Sequence, residues 1–204
     1  MTKNRKIFIL TVIIIAILAI GTWLLFSLKR KIGQKEFYSK QYNVDSIENV
    51  EGIAPEMIRQ YKEKFLEYQN KLEESVKNYE QGGKKVEERP NPDFFVEKAR
   101  YAQYLGQTDW AIEILNEIFK YYDNSSVGWN NLAKLYEMKG DYNKANEYYF
   151  KIIDTFGEQV FWNSYYYIAQ NYRAMDNKEK VKEYYDKYKS FGGFDGETEE
   201  YLTK

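Results

Sequence analysis

The run from Ser126 to Gln159 constrains this chain more than any other, because one local geometry satisfies its spacing. Trp129, Leu132, Ala133 and Tyr136 recur at i, i+3, i+4 and i+7, which places them on one face of an α-helix. The Gly140-Asp141-Tyr142 turn follows. Glycine supplies the left-handed residue that ends one helix, and aspartate caps the start of the next. Ala145, Tyr149 and Ile152 then form an opposing face, and Ala133 is small where two helices must approach closely. The spacing therefore predicts a helical hairpin. A lone hairpin leaves apolar surface uncovered on its flanks, so neighbours at the same period are required.

They are present. A period of 34 residues earlier lie Phe95, Ala99, Ala102, Gly106, Ala111, Leu115 and Ile118, giving a unit over 92–125 in which Lys98 occupies the leucine slot. After 126–159, two extra residues, Val160 and Phe161, bring Tyr165, Ile168, Ala169, Tyr172, Val181, Tyr185 and Tyr188 into the same register over 160–195. The last turn is Asp176-Asn177-Lys178, where Asn177 is expected to adopt the left-handed conformation.

This succession of a large residue, Leu beside a small residue, Tyr, and Ala with an aromatic four further on resembles the tetratricopeptide repeat family over roughly residues 92–191. The resemblance implies an all-α fold, an α-solenoid of three helix-turn-helix repeats. In that family, protein or peptide partners lie on the concave face lined by the first helix of each hairpin. The residues that this places on the face are Arg100 and Gln103, then Asn130, Asn131, Lys134 and Glu137, then Tyr166, Tyr167, Gln170 and Arg173. Amides and guanidinium groups hydrogen-bond a bound backbone or carboxylate, and Tyr gives rigid contact area. The alternative is that these are ordinary solvent-facing residues. A subset of the family grips C-terminal carboxylates with Lys, Asn and Arg. Here Asn131 alone matches that set, and Val96 and Tyr167 stand where basic or amide groups are wanted, so that specificity is not carried over.

Ahead of the repeats, Ile7 to Leu28 is an uncharged run of 22 residues flanked by Lys3, Arg5 and Lys6 and by Lys29, Arg30 and Lys31. At helical rise it spans roughly 33 Å, enough to cross a bilayer core. A cleavable signal peptide should be shorter and end in a small-x-small site; Ala19-Ile20-Gly21 is such a site, but the run continues through Trp23 to Phe26. Residues 1–31 therefore read as a basic tail and a single uncleaved transmembrane helix, with Trp23 near one interface. More basic residues follow the span than precede it, which favours a cytoplasmic body. A short basic tail followed at once by one apolar span resembles a bacterial signal-anchor, which favours an extracytoplasmic one. The second is the placement expected here, with the first as its alternative.

Residues 32–52 are polar and unperiodic, as in a spacer. Over 53–82, Ile58, Tyr61, Phe65, Tyr68, Leu72, Val76 and Tyr79 recur at steps of three and four on a charged helix starting at Pro55. That stripe either docks on the first repeat or forms a coiled-coil seam. Gln81-Gly82-Gly83 stops it. Residues 196–204 suffice for a tail or short cap. That is thin cover for Tyr184, Tyr188 and Phe191, so either a partner or second copy covers them or the tail folds back.

The chain has no His and no Cys, which removes imidazole bases, thiolates, disulfides and the usual zinc, iron and copper ligands. No cofactor, no metal and no catalytic set is expected. Gly192-Gly193-Phe194-Asp195-Gly196 lacks the Lys-Ser/Thr ending of a phosphate loop, and Asp195-Gly196-Glu197 lacks the alternating oxygen ligands of a calcium loop. Pairs such as Glu63-Lys64 read as solvated helix surface. Residues 32–204 hold 24 basic against 31 acidic groups, so a phosphate backbone is repelled and nucleic acid is not an expected partner. The 21 Tyr fill half-buried slots or form a binding groove, and both uses can coexist on different faces. The reading is of a non-enzymatic, membrane-anchored scaffold for a protein or peptide partner. The alternatives are a self-associating homo-oligomeric component of an envelope or filament assembly, and an enzyme or an accessory subunit of one that contributes no catalytic residue visible in the sequence.

Overall fold

The computed structural model describes residues 42–204; the anchor expected at Ile7 to Leu28 lies outside them. Among the described residues the fold is all-helical, without a strand, and no helix is long and apolar enough to cross a membrane.

The longest helix, α1 (Pro55–Gln81), starts with proline in its first turn, where the missing N–H costs nothing, and ends at Gly82, Gly83 and Lys84, the last two at φ +83° and +62°. Its outer face carries i,i+3 and i,i+4 pairs such as Arg59–Glu56 at 2.6 Å and Lys71–Glu67 at 2.6 Å, each contributing a few tenths of a kcal/mol. Its inner stripe buries Ile58, Phe65, Leu72 and Val76. It lies against α2 (Pro92–Tyr104), with Tyr68 stacked on Tyr101 at 5.9 Å and Tyr61 against Tyr104 at 5.0 Å. The stripe that offered a coiled-coil seam is thus covered by the chain's own next helix.

Three hairpins follow: α2 with α3 (Thr108–Asn116), α4 (Ser126–Met138) with α5 (Tyr142–Phe156), and α7 (Ser164–Ala174) with α8 (Lys178–Ser190). A one-turn helix, α6 (Glu158–Phe161), accommodates the two extra residues after Gly157, which sits at φ +91°. The main packing partners run in chain order: α3 on α4, α5 on α7, α8 on the terminal α9 (Gly196–Thr203). Ala99, Ala133 and Ala169 are 3%, 0% and 0% exposed, so each methyl lies inside a helix crossing. Around the second and third of them, Trp129, Tyr149, Ile152, Tyr165, Ile168 and Tyr185 form one contiguous core.

Capping follows the sequence. Ser125 accepts from Gly128 N at 3.1 Å, Asp141 from Lys144 N at 3.1 Å, and Gly140 takes φ +76°. The third turn differs from the expectation. Asn177 is not left-handed; Asp176 is, at φ +54°, and Asn177 instead caps α8 by accepting from Lys180 N at 3.1 Å. Either side chain tolerates the left-handed region, and the better N-cap position went to Asn.

The segments that flank the helical array are tied down. In the stretch read as a spacer, Val44 and Ile47 are buried and Lys62 Nζ donates to the Asp45 carbonyl at 3.5 Å. At the other end the tail folds back. The Tyr185 hydroxyl donates to the Asp195 carbonyl and accepts from the Asp195 N–H, both at 2.9 Å, and Thr198 is fully buried. Trp162 stacks on Tyr188 at 5.4 Å.

Candidate partner-binding surface

Four of the predicted surface residues come together. Arg100 and Gln103 on α2, with Asn131 and Lys134 on α4, line a groove of about 160 Å³ whose apolar lining is Val96, Ala99, Leu115, Leu135 and Met138. The alanine that lets the helices approach also leaves the floor open, and the buried Leu115 and Leu135 make that floor dry. The rim is only loosely committed. Gln103 Nε2 donates to Met138 Sδ at 2.8 Å, and a thioether is a weak acceptor that a backbone carbonyl would replace with gain. Asn131 Nδ2 is fixed by the Val127 carbonyl at 2.9 Å. Arg100 pairs with Glu97 at 2.8 Å, an exposed contact worth little. Val96 and Met138 were not in the predicted set; their signal was an apolar residue one turn from Arg100 or Lys134 at a position the core does not need.

The other predicted residues are placed differently. Asn130 is half-buried and lies outside this groove. Tyr166 stands edge-on to Tyr167 at 5.5 Å and against Tyr188 at 5.3 Å. Gln170 and Arg173 are taken up by the tail: Gln170 Nε2 donates to Thr198 Oγ1 at 2.7 Å, while Arg173 lies 3.7 Å from Glu197 and over the Tyr201 ring at 5.4 Å.

Glu137 and Tyr167 meet at the junction of the second and third hairpins, with Tyr149, expected on the inward face of its helix, and with Asn146 and Asn171, which the sequence did not single out. Asn171 Nδ2 donates to Asn146 Oδ1 at 2.9 Å, and Tyr149 stacks on Tyr167 at 5.3 Å and 12°. Burial raises the Glu137 carboxyl above the usual range, against the opposing pull of Asn171, Tyr149 and Lys134. Burial likewise raises the Tyr149 phenol, helped by Glu137. Far from this junction, between α1 and α2, burial lowers Lys98 to about 8 although Glu117 and Glu73 pull it the other way. Among the described residues no group of His, Cys, Asp or Glu converges to hold a metal ion.

No protein-family model matches the chain, and no curated protein matches it.

Proposed function

We propose that the chain is a tetratricopeptide-type α-solenoid, held at a membrane by Ile7 to Leu28, that binds a protein or peptide partner along the face built by α2, α4 and α7. The observation that carries this reading is the groove between α2 and α4. It has a buried apolar floor, and its rim holds two amides and two cations whose present contacts are weak or solvent-exposed. Such a site suits one apolar side chain of an extended segment in the hole, with Gln103 and Asn131 on its backbone. The solenoid reading is supported by packing in chain order and by buried alanines at the matching register positions. The test is a full-length triple variant, Gln103→Ala, Asn131→Ala and Lys134→Glu, compared with the parent by co-purification from native membranes. Loss of specific co-purifying proteins at an unchanged unfolding midpoint supports the reading, and an unchanged set sinks it.

A further inference from the structure

The third hairpin holds an acidic segment of the chain through its first helix. Gln170 Nε2 donates to Thr198 Oγ1 at 2.7 Å and to Asp195 Oδ2 at 3.4 Å, and Arg173 lies 3.7 Å from Glu197. The segment held there carries Asp195, Glu197, Glu199 and Glu200. Removing the two extra residues, Val160 and Phe161, puts Lys134 and Arg100 at the register position of Gln170. Where the third hairpin has an amide on an acidic segment, the first two have cations lining an open groove of about 160 Å³.

We propose that the groove between α2 and α4 selects a partner segment in which an apolar side chain stands next to an Asp or Glu. The apolar side chain enters over Leu115 and Leu135, and the neighbouring carboxylate meets Arg100 and Lys134. The hole is large enough, since a dry cavity of about 150 Å³ holds a benzene ring, so Leu, Ile or Phe fits. Both cations have donors to spare. The contacts from Arg100 to Glu97 both run through Nη1, which leaves Nη2 and Nε of the five-donor fork for a guest. Lys134 forms no ion pair or hydrogen bond among the described residues. Glu137, one turn along α4, is near enough to feel the Lys134 charge but does not line the groove. No carboxylate does, a local reversal of sign in a body whose residues 32–204 hold 24 basic against 31 acidic groups. An anion is therefore attracted here and repelled elsewhere. The carboxylate belongs to a side chain rather than to a chain end. Arg100 and Lys134 stand in the middle of the groove, with Val96 and Asn131 one turn before them and Gln103 and Met138 one turn beyond. A segment whose charge meets them continues in both directions.

This inference rests on the partner-binding reading and adds the charge of the guest. Full-length protein in nonionic detergent is titrated with acetyl-Glu-Leu-Glu-amide, and the side-chain amide resonances of Gln103 and Asn131 are followed. The comparison probes are acetyl-Gln-Leu-Gln-amide, acetyl-Glu-Ala-Glu-amide and acetyl-Gln-Leu with a free carboxyl terminus. Saturable shifts are expected with the first probe, and binding about tenfold weaker with each of the others. In Arg100→Gln with Lys134→Gln, the Glu and Gln probes should bind equally. In Arg100→Glu with Lys134→Glu, acetyl-Lys-Leu-Lys-amide should become the tightest probe. An unchanged unfolding midpoint certifies each double variant, and the milder Lys134→Gln alone should cut the preference for Glu over Gln about threefold. The proposal is overturned by a Gln probe or a free-terminus probe as tight as the Glu probe, by a preference that survives in the double Gln variant, or by no saturable shift. Equal binding of the Glu and Gln probes removes the charge selection and leaves the partner-binding reading standing; that reading fails separately, through an unchanged set of co-purifying proteins.

Discussion

Replacing Lys98 with Met should make this protein more stable at neutral pH and less so, by comparison, in alkali. Lys98 stands in a slot that its counterparts Leu132 and Ile168 fill with fully buried aliphatic side chains, and it is itself only 6% exposed. Its ammonium lies over the Phe65 ring at 5.4 Å, with Glu73 and Glu117 as the nearby carboxylates. Burial outweighs both, and lowers its pKa from 10.5 to about 8. At about 1.4 kcal/mol per unit, the charged form costs the fold on the order of 3 kcal/mol. Below pH 8 both states are protonated and the full penalty applies. Between about 8 and 10.5 the native state releases its proton while the unfolded chain keeps it, so stability rises with pH. Lys98→Met removes the penalty and leaves Glu73 and Glu117 without their cation, so the gain at pH 7 should be about 1–3 kcal/mol. Chemical denaturation of the full chain in mild detergent, followed by tryptophan fluorescence from pH 6 to 10.5, measures both proteins side by side. The difference should shrink steadily above pH 8. A difference that stays constant across that range, or a variant less stable than the parent by more than about 1 kcal/mol at pH 7, refutes the reasoning.

Other substitutions test separate links. Leu72→Ala, in the buried stripe of α1, should cost about 2–5 kcal/mol and speed amide exchange in α1 and α2 together, because the two helices share that interface. Gly140→Ala should cost roughly 1–2 kcal/mol by denaturation; no atom stands within 4 Å of the added methyl, so the cost is the left-handed backbone at φ +76° alone. Tyr185→Phe strips both hydrogen bonds from Asp195 and should cost about 1–3 kcal/mol, with exchange rising in α9 before anywhere else.

The helical fold was legible because its signals are local. Ala99, Ala133 and Ala169 mark crossings by their own size, and the i, i+3, i+4 stripes of α1 and α4 follow from the period of the helix. Part of the surface was legible for the same reason: Arg100, Gln103, Asn131 and Lys134 are what remains once inward positions are subtracted. Subtraction fails where elements distant in sequence meet. Gln170 and Arg173 point outward by period and are nonetheless covered by a tail that crosses 25 or 28 residues of sequence to reach Gln170. Asn146 and Asn171 look like ordinary helix amides until α5 and α7 bring them within 2.9 Å. The left-handed residue at Asp176 went unread because adjacent Asp and Asn have nearly equal claims to that conformation, and the cap on α8 decides between them.

The central claim is that the face built by α2 and α4 is where a partner sits, and a photo-crosslinking residue placed at Asn131 of the full-length protein tests it in native membranes. Illumination should yield a small number of discrete protein adducts from Asn131 and none of the same adducts from the exposed Glu147 on α5. No protein adduct at Asn131, or an identical set from Glu147, contradicts the account.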